Sequence, residues 1–219
     1  MKARLSNVEY IEMHSESEHK ADQESAYSSE LAVRAASLLF TRGCTAPREV
    51  DYLILCTQTP DFLLPTTACL VQAQLGLGSS IGAIDISGGP SGFVHALALA
   101  RGLILSDQAK SVLVLTADTC EPSRGAASAT IVFADSANEN RDRFEFGTHI
   151  SGGLPGLQSV DAELLVNARA DHEQDEIGAS AIPIALADAI DQGRLHRGDR
   201  VVLVGTDVDG SWAGMVTEW

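Results

Sequence analysis

Six apolar runs, rich in β-branched residues and bounded by glycine or polar residues, punctuate the chain at Tyr52–Cys56, Ile81–Ile86, Val112–Ala117, Thr130–Phe133, Leu164–Val166 and Val201–Val204. Short runs that are apolar at successive positions predict strands buried on both faces. Between them, helical spacing predicts helices over Ser29–Thr41, Thr66–Leu75, Ser91–Leu105 and Ser180–Gln192. The first ends at Gly43 and the last at Gly193, the residue type that closes a helix in the left-handed conformation. Strands alternating with helices imply an α/β fold around a largely parallel or mixed sheet.

Two of these helices set the architecture. Ser91–Leu105 (SGFVHALALARGLIL) is apolar on nearly every face apart from His95 and Arg101, and Ala181–Ile190 (AIPIALADAI) is similar. Helices of this kind must be covered on all sides. They are expected to pack together between two sheets, each half of the chain supplying one, with the halves dividing at 1–137 and 138–219. The acidic stretches Met13–Glu30 and Asn138–Glu145 read as solvated loops. Ser151–Gln158 (SGGLPGLQ) reads as a plain loop, because it lacks both phosphate-loop spacing and a Lys.

A chain of 219 residues with 45% apolar content can bury a sizeable core. Its 30 acidic residues oppose 15 basic ones, and a net charge of −15 repels phosphate backbones and anionic membranes, so neither is expected as a partner. No apolar stretch reaches the ~20 residues of a membrane span, and the start lacks the layout of a secretory signal. Cys44, Cys56, Cys69 and Cys120 are scattered singly, without metal-ligand or disulfide spacing, which fits a reducing cytoplasm. Cys69 and Cys120 fall beside apolar runs and read as buried core thiols. His95 reads as a core histidine, while His149 and His196 are placed in loops or turns. Asp207 and Asp209 stand one residue apart but lack further oxygen ligands nearby, so no metal site is expected.

The segments DYLILCTQTPDFLLPTTACLVQAQLGLG, AIDISGGPSGFVHALALARGLI and VLVLTADTCEP resemble the β-ketoacyl-ACP synthase III family of the thiolase superfamily. The resemblance resumes at IGASAIPIALADAIDQGRLHRGDRVVLVG and closes with SWAGMVTEW, covering about half the chain. It implies a five-layer αβαβα fold of two similar halves, usually dimeric. It also implies decarboxylative Claisen condensation. A Cys at the start of the first buried helix takes an acyl group from a CoA thioester, favoured by the helix dipole. A His and an Asn from the second half assist decarboxylation of malonyl-ACP, and backbone N–H groups form the oxyanion hole.

Carried over residue by residue, the resemblance predicts a degenerate site. In DISGGPSGF the nucleophile's position holds Pro90, which suits a first helical turn but offers neither nucleophile nor N–H. The Asn position of an NxGASAIP-like motif holds Glu176. The His-bearing piece of an LLVxHQANAR-like motif is missing from Leu164–Arg169 (LLVNAR). The family's Gly-rich oxyanion turn reads Gly205-Thr206-Asp207-Val208-Asp209-Gly210-Ser211-Trp212, with Val208 at its centre and two carboxylates beside it. A fixed negative charge within ~4–6 Å of a developing oxyanion opposes its formation. Family segments are also absent after Met13, after Gln158 and around Val166, which shortens the C-terminal half.

The sequence therefore leads to a catalytically degenerate synthase III-like subunit of fatty-acid or polyketide-type biosynthesis, acting as a homodimer or as a heterodimer with an active ketoacyl synthase. Two alternatives stand beside it: an active acyltransferase that uses Ser91 (Ser87 being weaker) or displaced residues, or a protein that holds an acyl ligand without chemistry. The bland reading of Ser91 is a hydroxyl bonded locally in its own helix. Gly205, Asp207 and Asp209 are the candidate ligand contacts. No cofactor is expected beyond acyl-CoA as substrate or ligand. Acyl carrier protein is a possible partner, although its acidity makes docking on a chain of −15 weak. Dimerisation is expected through the strand at Val112–Ala117.

Overall fold

The computed structural model describes residues 2–6, 8–13, 27–43, 45–121, 124–134, 144–153, 164–169, 178–196 and 198–219. In chain order these form β1 (Ala3–Leu5), β2 (Glu9–Met13), α1 (Ser28–Thr41), a 3-10 turn (Pro47–Glu49), β3 (Tyr52–Cys56), α2 (Thr67–Gln74), β4 (Gly82–Ile86), α3 (Pro90–Leu105), β5 (Ser111–Glu121), β6 (Arg124–Ala134), β7 (Phe144–Gly153), β8 (Leu164–Arg169), a 3-10 turn (Gly178–Ser180), α4 (Ala181–Asp191), β9 (Arg200–Thr206) and β10 (Ser211–Glu218).

β3 shows why an unbroken apolar run becomes a central strand. It is flanked in parallel by β4 and β5, and its alternate residues serve two cores. Leu53 and Leu55 face a cluster built with α1 and α2, whereas Ile54 and Cys56 face α3. The strands join one mixed sheet in the order β4-β3-β5-β6-β1-β7-β10-β9-β8, with β2 also on β6. β1 is antiparallel to both β6 and β7 and links two arms. α3 lies between the arms, touching β3, β5 and β6 on one side and β9 and β10 on the other, with α4 against it. Burying a side chain such as Phe93 or Leu97 of α3, both 0% exposed, contributes about 1.5–3 kcal/mol each.

The layers are thus α1 and α2, the first arm, α3 and α4, then the second arm. Among the described residues no helix covers the outer face of the second arm. β8, α4, β9 and β10 repeat the arrangement of β3, α3, β5 and β6: a parallel neighbour, a buried helix, a central strand and its antiparallel hairpin partner. In the first arm α2 and β4 stand between β3 and α3. In the second, residues 170–180 are all that separates β8 from α4, fewer than α2 and β4 occupy together. The C-terminal half is shortened at this point.

Several expectations need correction. β5 and β6 run well beyond the predicted segments because β5 continues through Asp118, Thr119, Cys120 and Glu121 and β6 is extended by Ala, Ser and Gly, residues whose low hydropathy hides a strand. The hydropathy pattern does not predict β1, β2 and β7, which are short or interrupted by polar residues. Met13 belongs to β2, Ser28–Glu30 to α1, Phe144 and Glu145 to β7, and Ser151–Gly153 to β7; of the three expected loops this leaves Tyr27 and residues 14–26, 138–143 and 154–158, which apart from Tyr27 lie outside the described residues. The expected boundary at 137/138 also lies outside them. α3 is not covered on every side: Leu99 is 39% and Leu105 46% exposed. The strand at Val112–Ala117 cannot pair with another molecule, because β3 and β6 occupy both its edges. Among the described residues no helix is long and apolar enough to cross a membrane.

Candidate functional site at the start of the buried helix

β4 ends at Ile86 and the chain turns through Ser87, Gly88 and Gly89 into α3, whose first residue is Pro90. Proline fits here because its φ is helical and the N–H it lacks would have no intrahelical acceptor. The N-cap residue, Gly89, contributes no side-chain bond, so the next amide must find an acceptor elsewhere.

That acceptor is Asp207. The backbone N–H of Ser91 donates to its Oδ1 at 3.0 Å and the Ser91 hydroxyl donates to its Oδ2 at 2.5 Å, a length typical of a charge-assisted bond. Asp207 begins the turn between β9 and β10, which is closed by Asp207 N–H to Ser211 O at 2.9 Å and Gly210 N–H to Asp207 O at 3.0 Å. The turn separates its side chains. Asp207 points at α3, while Val208 is 68% exposed. Exposed Asp209 accepts the Ser211 hydroxyl at 2.6 Å and the Ser211 amide at 2.9 Å. These bonds, the hydroxyl's first, hold the Asp209 carboxyl below its ordinary range. Space around Asp207 is tight: a Cβ on Gly89 would meet its Oδ1, and the Gln58 side chain, at 3.0 Å.

Pro90, Ser91, Gly205 and Asp207 are thus brought together, Val208 and Asp209 turn away, and Glu176 lies outside the described residues. Ser91 is 3% exposed, and its hydroxyl partner is not local, as expected, but 116 residues distant. His95 follows one helical turn later and packs edge-on against His149. His149 is on β7, not in a loop, and His196 is exposed in a turn. Cys56 is buried, with its thiol toward Gly92 O at 3.3 Å, and burial pushes that thiol's pKa up. Cys69 and Cys120 are exposed, contrary to the core reading, because α2 and the end of β5 turn them outward. Cys44 lies outside the described residues.

The sequence reading missed Asp118, which is 3% exposed on β5. Its carboxylate accepts Gln58 N–H at 2.6 Å, Thr57 Oγ1–H at 3.1 Å and, from the second half of the chain, Ala179 N–H at 2.7 Å. Burial raises its pKa, and the hydrogen bonds offset part of that rise. The available signal was a carboxylate directly after the apolar run ending at Ala117. Asp118 belongs to a pattern. Asp61 accepts Ser29 N–H at 3.1 Å at the start of α1, and Asp85 accepts Thr67 and Ala68 N–H at 2.8 and 2.6 Å at the start of α2. Asp207 does the same for α3, and Asp118 for the turn leading into α4. None of the four helices has a side-chain bond from its own N-cap residue.

Asp207→Ala is expected to cost about 1–2 kcal/mol, the worth of a helix cap, while Asp209→Ala, on the exposed turn, stays within about 0.5 kcal/mol. Urea unfolding of both variants checks this; equal effects would show that the Ser91 contacts do not hold the helix.

Residues 84–139 match the family model for 3-oxoacyl-[acyl-carrier-protein] synthase III, and residues 174–219 match the model of its C-terminal part. The chain is 33% identical over 175 residues to a β-ketoacyl-[acyl-carrier-protein] synthase III of Deinococcus radiodurans, covering 78% of this chain and 46% of that protein. It is 40% identical over 100 residues to the synthase III of Syntrophomonas wolfei, covering 46% of this chain and 30% of that protein. The chain therefore spans less than half the length of both relatives. With the synthase III of Rhodospirillum centenum it is 27% identical over 273 residues, covering 88% of this chain and 84% of that protein. That alignment is longer than the 219 residues of the chain, so the relative carries segments without a counterpart here. In fold, the chain superposes on a crystal structure of a 3-oxoacyl-ACP synthase III with a TM-score of 0.77 at 22% identity, covering 100% of both chains. It superposes on OleA of Xanthomonas campestris (H285A) at 0.83 and 13%, covering 100% of this chain and 99% of that one. The architecture around α3 and the matched segments on both sides of it lead to one conclusion: this chain belongs to the β-ketoacyl-ACP synthase III family of the thiolase superfamily.

Proposed function

We propose that this protein is a synthase III-fold subunit without condensing activity, which acts by pairing with a catalytically complete ketoacyl synthase of fatty-acid or polyketide-type biosynthesis. The observation that carries this reading is the start of α3. Pro90 occupies the position at which the family resemblance places the nucleophilic Cys. The adjacent amide and hydroxyl of Ser91 are both bonded to the Asp207 carboxylate, so an internal anion holds donors that would otherwise be free to face an acyl oxyanion. A carboxylate there opposes a second negative charge. Glu176 in the Asn position adds to the same opposition.

Pairing through the first arm requires an accessible strand edge, and β4 provides it: β4 pairs with β3 alone among the described residues. With a net charge of −15, docking of an acidic acyl carrier protein falls to the partner.

A second reading is favoured by the 2.5 Å bond between Ser91 Oγ and Asp207, in which the carboxylate would take the proton of an attacking serine. Intact-mass spectrometry after incubation with short and medium acyl-CoA separates the two. No adduct is expected on the wild-type chain, and Pro90→Cys should at most acylate itself slowly, without malonyl-dependent condensation. A stoichiometric acyl group on Ser91 would establish the second reading. Failure to co-purify with a Cys-bearing synthase III from the same cell would remove the partner role.

A further inference from the structure

His95 on α3 and His149 on β7 approach across the boundary between the buried helix and the second arm, with ring centroids 5.6 Å apart and planes at 67°. Edge-on packing of two rings accounts for the contact. It does not account for His149 Nε2, which is buried without a hydrogen-bond partner among the described residues; buried ring nitrogens ordinarily find one. Two imidazoles bound to one ion at about 2.0 Å place their ring centroids roughly 5–6 Å apart. Directly across the sheet from His149 stands Met215 of β10, 1% exposed and part of the core cluster that contains α3. Cross-strand partners share a face of the sheet, so the thioether lies on the side that carries both imidazoles.

We propose that His95, His149 and Met215 form a binding site for a soft, low-coordinate metal ion of the Cu(I) type, bridging α3 to the second arm. The donor set selects the class of ion. No other His, Cys, Asp or Glu completes a group of three with the two histidines among the described residues. Ions that demand four or six hard or borderline ligands are therefore poorly served, whereas two imidazoles and a thioether suit Cu(I). The site is independent of the Asp207 contact at the helix start and of whether the chain condenses acyl groups.

Because Cys69 and Cys120 are exposed thiols that also take Cu(I), the readout must resolve residues. The full-length chain, ¹⁵N-labelled at histidine, is titrated anaerobically with Cu(I) past the thiol equivalents. The ring-nitrogen resonances of His95 and His149 are expected to move together in one further equivalent. His95→Phe and His149→Phe should each weaken that step about a hundredfold, and Met215→Leu by about tenfold. Movement of His14, His19, His172 or His196 instead, or an unchanged step in either histidine variant, overturns the site. Should a variant fail to fold, the wild-type resonances decide alone: if the rings of His95 and His149 stay still at saturating Cu(I), the contact is packing only.

Discussion

Gly205→Ala is expected to leave no stable folded protein, or to lower Tm by more than about 10 °C. A Cβ at this position of β9 would lie 2.3 Å from both the carbonyl carbon and the oxygen of Pro90 and 2.4 Å from Ser91 N. These are backbone atoms, so no rotamer change relieves the collision. β9 must retreat from α3, and that retreat also pulls Asp207 from Ser91 and loosens Val201 and Leu203 in the core between the arms. Overpacking alone costs about 1–3 kcal/mol, and the lost cap and core contacts add to it. At about 2–4 °C per kcal/mol for a chain of this size, a combined loss of about 5 kcal/mol lowers Tm by about 10–20 °C. Gly102→Ala on the exposed side of α3, where a Cβ meets nothing within 4 Å, is expected instead to stabilise by about 0.5–1 kcal/mol. A Tm for Gly205→Ala within about 2 °C of wild type would mean that β9 does not rest on the start of α3.

Asp118→Ala is expected to destabilise by at least about 3 kcal/mol, because it leaves the amides of Gln58 and Ala179 and the hydroxyl of Thr57 in a buried site without their acceptor. The pH dependence has a definite sign. Burial raises the pKa of Asp118 in the fold, so the folded chain holds that proton more tightly than the unfolded one. Its contribution to stability is then fully present below the unfolded carboxylate pKa and declines as pH rises through the folded value. Urea titrations of wild type and Asp118→Ala across that range should converge as pH rises. Parallel curves would show that Asp118 titrates alike in both states. Gly178 offers a second handle: its φ is +38° and a Cβ there would lie 2.0 Å from Asp118 Oδ2, so the two positions should couple strongly in a double-mutant cycle.

The central strands and the four helices were legible because hydropathy alone specifies them; β3 is found at Tyr52–Cys56, the same bounds that its apolar run suggests. Gly43 and Gly193, with φ of +74° and +64°, close α1 and α4 as expected. What hydropathy could not show was the continuation of β5 through Asp118 to Glu121 and of β6 in small and hydroxyl residues. Ser128, in the continuation of β6, is fully buried because its hydroxyl and that of Thr116 on β5 satisfy one another at 2.7 Å, and Thr116 also meets Ser180 at 2.7 Å. The candidate site was legible in its residue types, since Pro90 and the Asp207 turn stand out against the family motifs. Its geometry was not, because the bonds that define it join residues far apart in the chain. Asp207 read as a charge beside an oxyanion position, and nothing local announced that it bonds Ser91. Asp118 went unseen for the same reason.

The remote aspartates also bear on how the chain comes into being on the ribosome. A helix capped by its own N-terminal residue can be finished as soon as it emerges, but α1, α2, α3 and the turn into α4 take their carboxylates from residues 32, 17–18, 116 and 61 positions away. At a synthesis rate of about 5–20 residues per second, the start of α3 precedes Asp207, 116 positions on, by roughly 6–23 s. Through that interval the long apolar helix α3 exists without its cap and without the second arm that covers one of its sides. Nascent chains of this protein therefore carry α3 for seconds with the side that meets β9 and β10 uncovered, apolar surface of the kind that general chaperones bind, and only synthesis of those two strands withdraws it.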